Sequence, residues 1–195
     1  MKIGIMGGSF DPIHIGHLLV AEHAAEEAGL DEVWFIPSHN APHKDHKPGA
    51  SDEDRWRMVE LAIAGNPRFR ADDWEIRQGG VSYSIETARM LVATYPHDEF
   101  YWLIGADMVQ YLPHWHQIEQ LCELIGFIGF ARPGVKLDPG ELAPKIRQRV
   151  KLVAVPGFEV SSTEIRERLR SGRSVRYLLP DAVWHYVKER RLYES

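Results

Sequence analysis

The sequence predicts an α/β fold built as a doubly wound parallel sheet with helices on both faces. Three observations predict it. Short apolar runs alternate with stretches of helical periodicity, several of those runs close in glycine, and the spacing from the first run to the second suits a right-handed parallel crossover. With 195 residues, 44% hydrophobic and 26% charged, the composition is globular and the chain can bury a substantial core. No repeat, low-complexity tract or linker divides it, so residues 1–195 are expected to form one domain.

Lys2 to Met6 is the first apolar run and ends in Gly7-Gly8. Leu18, Leu19, Ala21 and Ala25 then mark a helix over Gly16 to Ala28. Val33 to Ile36, closed by Pro37, is the second strand. Pro37 to Ala50 carries three prolines, three histidines and two lysines without periodicity, which predicts a long loop of a kind that is often functional. Ser51, with Asp54 three residues on, resembles a capping box for a helix through Met58, Leu61 and Ala62 that stops at Gly65-Asn66-Pro67. Phe69 to Arg77 is expected as strand, Gln78-Gly79-Gly80 as a turn, and Ser84 as the cap of a helix carrying Ile85, Ala88, Leu91 and Val92. Glu99 to Ile104 is a strongly apolar strand running into Gly105-Ala106-Asp107. Helical stretches at Met108 to Tyr111 and His116 to Leu124 lead to a strand at Ile125 to Ala131. A connection with Pro133, Gly134, Pro139 and Gly140 precedes a helix near Leu142 to Arg149, a strand at Lys151 to Val155, and two terminal helices starting near Ser161 and Pro180. The order is Rossmann-like, and ligands of such sheets sit beyond the carboxyl ends of the strands.

The 23 basic and 28 acidic residues leave a net charge of −5, which argues against long nucleic acid as partner because phosphate tracking needs a basic excess. No apolar run reaches the roughly 20 residues of a membrane span, and the N-terminus lacks a signal-peptide profile. The expectation is a cytoplasmic protein whose partners are small molecules, neither nucleic acid nor membrane, with homo-oligomerisation left open. Cys122, the only cysteine, has no activating neighbour and reads as a buried structural thiol.

The densest chemistry lies between the first strand and first helix, in Gly7-Gly8-Ser9-Phe10-Asp11-Pro12-Ile13-His14-Ile15-Gly16-His17. Gly7 and Gly8 let backbone approach a ligand, Pro12 stiffens the entry, and Gly16 opens the helix without a side chain over its amides. His14 and His17 lie three apart and can both face the space before the helix N-terminus. That layout suits a phosphate. Zinc suits it poorly, because no third or fourth ligand stands nearby in sequence. Val160-Ser161-Ser162-Thr163-Glu164-Ile165-Arg166 repeats the theme: Ser161 and Glu164 form a capping box, and small hydroxyls with Arg166 one turn on would either cap the helix or receive an anion.

His14 to His17 spells the His-x-Gly-His signature of the nucleotidyltransferase superfamily that includes the class I aminoacyl-tRNA synthetases. Over essentially its whole length the chain resembles the bacterial nicotinate-nucleotide adenylyltransferases. The resemblance rests on Gly7 to His17, Pro42-His43-Lys44, Ser82 to Thr87, Ile104 to Asp107, Leu112-Pro113-His114-Trp115, Arg132-Pro133-Gly134, Ser161 to Arg166, Tyr177 to Asp181 and Leu192-Tyr193. It implies transfer of AMP from ATP, carried with Mg2+ on its phosphates, to nicotinate mononucleotide. The same resemblance implies catalytic roles for His14, His17 and Lys44. It implies ATP contacts from Gly7, Gly8, Ser9, Phe10, Gly105, Asp107, Arg132, Ser161, Ser162 and Arg166, and nicotinate mononucleotide contacts from Tyr83, Thr87 and Trp115. Two positions depart from the usual pattern: Ser9 stands where threonine is common, and Ala41 where proline is common. His39, His43 and His46 are expected as solvated loop residues rather than metal ligands, and no dedicated metal site is expected. A phosphopantetheine or cytidylyl acceptor, or a nucleotide-binding module without turnover, would leave Leu112 to Trp115 or the retained histidines unexplained.

Overall fold

The computed structural model describes residues 1–42, 47–131, 139–157 and 159–194. In chain order its elements are β1 (Lys2–Gly8), α1 (Ile15–Ala28), β2 (Glu32–Pro37), α2 (Asp52–Ile63), β3 (Phe69–Ala71), α3 (Trp74–Gln78), α4 (Ser84–Thr94), β4 (Glu99–Gly105), α5 (Ala106–Tyr111), α6 (Ile118–Leu124), β5 (Gly126–Ala131), α7 (Pro144–Arg147), β6 (Val150–Ala154), α8 (Ser162–Arg170) and α9 (Asp181–Glu189). Among the described residues six strands form one sheet in the order β3-β2-β1-β4-β5-β6, every neighbouring pair parallel. The expected doubly wound, Rossmann-like sheet is present. Its strand order reverses between β1 and β4, so the crevice for ligand lies beyond Gly8 and Gly105.

The near-continuous apolar strands follow from burial on both faces. Ile3 and Ile5, Trp34 and Ile36, and Phe100, Trp102 and Ile104 point to one face, where α4, α5, α6 and α7 contribute Ile85, Leu91, Val109, Leu121 and Ile146. The alternate residues Met6, Val33, Phe35 and Leu103 point to the other, against Ala21 and Ala25 of α1, Met58 and Val59 of α2, Ile165 of α8 and Val183 and Val187 of α9. Cys122 is buried in the first of these cores, and burial pushes its thiol up and away from reactivity.

Three local expectations need correction. Phe69 to Arg77 is not one strand, because pairing stops at Ala71 and Trp74–Gln78 is helical. The Asp72 carboxylate accepts the Trp74 amide at 2.9 Å and Asp73 accepts from Arg77 Nε at 2.7 Å, two side-chain bonds that favour a helical turn over a ladder. Ser84 does not cap α4. Tyr83 holds that position and its carbonyl accepts the Glu86 amide. The helix near Leu142 shrinks to α7, which begins where Pro144 fixes the first helical residue. Elsewhere the signals read as expected: Ser51 Oγ accepts the Asp54 amide and Ser161 Oγ the Glu164 amide, each at 3.1 Å.

Candidate active site

The loop from Ser9 to His14 carries no regular structure, yet all six residues are buried. Phe10 takes the left-handed backbone region (φ 47°) and sets its ring edge-on to His17 at 5.1 Å, with Phe35 behind it. His14 and His17 stack with centroids 3.7 Å apart. The backbone amide of His14, at the cap of α1, donates to Nδ1 of His17 at 3.1 Å. A ring that accepts there carries its proton on Nε2. Nε2 of His17 is thereby left as the ring's donor.

Gly7 has a packing role that the sequence did not show. A Cβ on Gly7 would lie 2.9 Å from Cζ2 of Trp102, so Gly7 makes room for the tryptophan of the neighbouring strand. Gly7→Ala is expected to lose about 1 to 3 kcal/mol of stability, read as a lower urea midpoint at unchanged slope. Gly8 accepts the Ser38 amide at 2.9 Å, and the buried Ser9 accepts from Arg55 through its carbonyl at 2.5 Å. Ser9 and Phe10 therefore shape the loop from inside, and neither lines the cavity between the N-termini of α1 and α8.

Asp11 is the loop's anchor. Its carboxylate accepts from the Gly49 amide (2.7 Å), the Ala50 amide (3.0 Å) and the Tyr193 hydroxyl (2.7 Å). Arg166 donates to the Asp11 carbonyl at 2.8 Å and lies 3.6 Å from its carboxylate. Arg166 was expected to grip phosphate. With its side chain only 14% exposed and turned to Asp11, it is a tie between α8 and the histidine loop. Ser162 adds a second tie, donating to the Pro12 carbonyl at 2.9 Å. These bonds bring the N-terminus of α8 beside that of α1. A cavity of about 340 Å³ opens between them, lined by His14, Gly16 and His17 on one side, Ser161, Ser162 and Thr163 on the other, and Phe130 of β5.

A second cavity of about 250 Å³ is lined by Pro42, Tyr83, Ser84, His114, Trp115 and His116. Trp115 is 9% exposed and packs edge-on against Trp102 and Phe127, so it is both a core residue and a wall of the cavity. Tyr83 lies 4.5 Å from the His116 ring. Thr87 was expected in this wall and is not there. It is fully buried behind it, its hydroxyl donating to Glu75 Oε1 at 2.6 Å. Burial pushes the Glu75 carboxyl up from the ordinary range and nearby Asp72 adds to the rise, outweighing the opposite pull of the Thr87 and Ser82 hydroxyls.

Gly105 ends β4 and Asp107 stands exposed in the first turn of α5, at the predicted sheet edge. Lys44 and Arg132, together with His43 and His46, lie outside the described residues. His39 pairs with Asp52 at 2.5 Å, a second-helix contact rather than a metal ligand set. Among the described residues no cluster of His, Cys, Asp or Glu is placed to hold a metal ion, and no helix is long and apolar enough to cross a membrane.

Sequence reasoning passed over Arg55 and Glu75. Arg55 left a signal: it precedes Met58 and Val59 by three and four residues, which places a charged side chain on the buried stripe of α2. Glu75 left none, because its helix was taken for strand.

A cytidylyltransferase-like family model matches residues 5–168. The probable nicotinate-nucleotide adenylyltransferase of Geobacillus kaustophilus (strain HTA426) is 50% identical over 192 residues, covering 98% of this chain and 86% of that protein. The nicotinate-nucleotide adenylyltransferase of Bacillus subtilis (strain 168) is 45% identical over 195 residues, covering 100% and 99%. Among solved structures, the Plasmodium falciparum nicotinic acid mononucleotide adenylyltransferase complexed with NaAD superposes with a TM-score of 0.80 over 99% of this chain and 97% of that one. At 22% identity, that likeness speaks to the fold.

Proposed function

Because the chain belongs to the cytidylyltransferase-like family and, within it, to the nicotinate-nucleotide adenylyltransferases, we propose that its two cavities divide that reaction's substrates, ATP phosphates at the histidines and the pyridine nucleotide at Trp115. The reaction joins the AMP moiety of ATP to nicotinate mononucleotide, giving nicotinate adenine dinucleotide and pyrophosphate in NAD biosynthesis.

The stacked pair His14 and His17, set between the N-termini of α1 and α8, carries the reading. Phosphoryl transfer needs donors that hold still while charge moves from the attacking to the leaving oxygen. Each helix end contributes roughly 0.3 to 1 kcal/mol toward an anion, too little alone for a triphosphate, so side-chain donors must supply most of the grip. His17 offers Nε2–H, and Ser161 and Thr163 line the opposite wall. An oxygen of the acceptor's 5′-phosphate attacks the α-phosphorus in line. The new P–O bond forms as the bond to pyrophosphate breaks, the electron pair leaves with pyrophosphate, and no enzyme group is modified.

ATP enters as its magnesium complex, the ion riding on phosphate oxygens as part of the substrate. Imidazoles and hydroxyls line the histidine cavity, a donor set better suited to phosphate oxygens than to a hard cation. The family resemblance assigns positive charge at the phosphates to Lys44 and Arg132, which lie outside the described residues, and the adenosine and ribose contacts beyond β4 to Gly105 and Asp107. Residues 1–195 work as one domain in the cytoplasm.

Pyrophosphate release from ATP and magnesium tests the reading, with nicotinate mononucleotide, nicotinamide mononucleotide and phosphopantetheine compared as acceptors. Release with nicotinate mononucleotide is expected to dominate, and none at all would end the proposal. Trp115→Leu keeps apolar bulk against Trp102 and Phe127 but removes the flat ring. Since stacking of one base is worth roughly 1 to 3 kcal/mol, it is expected to raise the KM for nicotinate mononucleotide about tenfold to hundredfold with the KM for ATP unmoved.

A further inference from the structure

We propose that Glu75 is a positioning residue for the acceptor cavity, its buried carboxyl fixing the Tyr83–Ser84 wall through Thr87. The inference rests on the assignment of that cavity to nicotinate mononucleotide.

Glu75 sits on α3, outside the cavity and 4% exposed. A carboxyl in such a place is expensive to desolvate, and an apolar side chain would fill the space at lower cost if packing were all that was required. What it does instead is tie α3 to α4: its Oε1 accepts from Thr87 in the first turn of α4 at 2.6 Å. Tyr83 and Ser84, one wall of the cavity, lead directly into that turn. On their other side Ser82 is bonded to the opposite segment: its Oγ accepts the His39 amide at 3.1 Å, its own amide donates to the Asn40 carbonyl at 2.9 Å, and Asn40 bridges to Val81. The segment so held runs directly into Pro42, which lines the cavity beside Tyr83 and Ser84. The raised ionisation of Glu75 fits the role, because a full negative charge behind this wall would oppose a substrate that itself carries a carboxylate.

Steady-state kinetics with each substrate varied separately test this in Glu75→Ala, Glu75→Gln, Thr87→Val and Trp115→Leu. Glu75→Ala and Thr87→Val are expected to raise the KM for nicotinate mononucleotide by about tenfold or more, with kcat and the KM for ATP within about threefold of the parent. Glu75→Gln is expected to keep the acceptor KM within about threefold of the parent, since its amide oxygen can still accept from Thr87. If Glu75→Ala and Thr87→Val leave the acceptor KM unchanged, or raise both KM values alike, the positioning role is wrong. Should Glu75→Ala fail to fold, Thr87→Val and Glu75→Gln decide it in the same way. Trp115→Leu separates the two levels. If it alone raises the acceptor KM, only the role of Glu75 falls, and if it leaves that KM unmoved, the cavity assignment and everything resting on it fall together.

Discussion

His17→Ala is expected to lower kcat about 100-fold to 1000-fold while the KM for ATP moves little, the pattern of losing one preorganised donor to charge that develops in the transition state. The magnitude follows from how firmly the ring is held. Nδ1 is committed to the His14 amide, one face lies on the His14 ring, and the Phe10 edge packs beside it. Nε2–H therefore needs no reorganisation to meet the leaving pyrophosphate. Alanine removes that donor and also uncaps the His14 amide at the start of α1, so His14 loses its stacking partner as well. His17→Asn, whose side-chain oxygen can accept the same amide, is expected to keep the melting temperature while recovering only part of the rate. Pyrophosphate release at saturating substrates is the measurement, and a His17→Ala kcat within threefold of the parent would contradict the mechanism.

How far the sequence reached depends on how local the cause was. Burial on both faces of the sheet leaves its mark in each strand separately, which is why Lys2 to Met6, Val33 to Ile36 and Glu99 to Ile104 could be placed from hydropathy alone. The histidine loop was legible for a similar reason, since glycine, proline and two histidines sit within eleven residues. The strand expected at Phe69 to Arg77 failed where Asp72 and Asp73 turned local side-chain bonds against the ladder. Gly7 was recognised as necessary for a ligand, while its packing role against Trp102 depends on another strand. Arg166 and Thr87 were read as substrate contacts because their family positions border the site. Only the fold shows that Asp11 and Glu75, 155 and 12 residues away, already engage them. Nothing local distinguishes a side chain that touches substrate from one that holds its neighbour.

Asp11 is the largest instance of that non-local order, and its replacement should be the most damaging to stability. Asp11→Ala leaves the Gly49 and Ala50 amides and the Tyr193 hydroxyl without their acceptor, in a place that is 4% exposed, and takes the carboxylate charge from Arg166, which keeps its bond to the Asp11 carbonyl. Breaking one side of a buried charged pair costs about 3 to 5 kcal/mol, which for a chain of this size corresponds to a fall of about 6 to 20 °C in Tm. Tyr193 is not expected to compensate by ionising, since burial, the largest cause that raises its hydroxyl, persists in the variant. Tyr193→Phe removes a single bond and should lose only about 1 to 2 kcal/mol. In the double variant the two losses should fall short of additive, because the hydroxyl and the carboxylate are each other's partner. Thermal melts of the four proteins measure this directly. Equal and additive small losses would mean that the C-terminus is not fastened to the histidine loop. A deep, non-additive loss, accompanied by a fall in kcat/KM for ATP in the fraction that remains folded, would mean that Tyr193 near the chain's end helps hold His14 and His17 where the phosphates must lie.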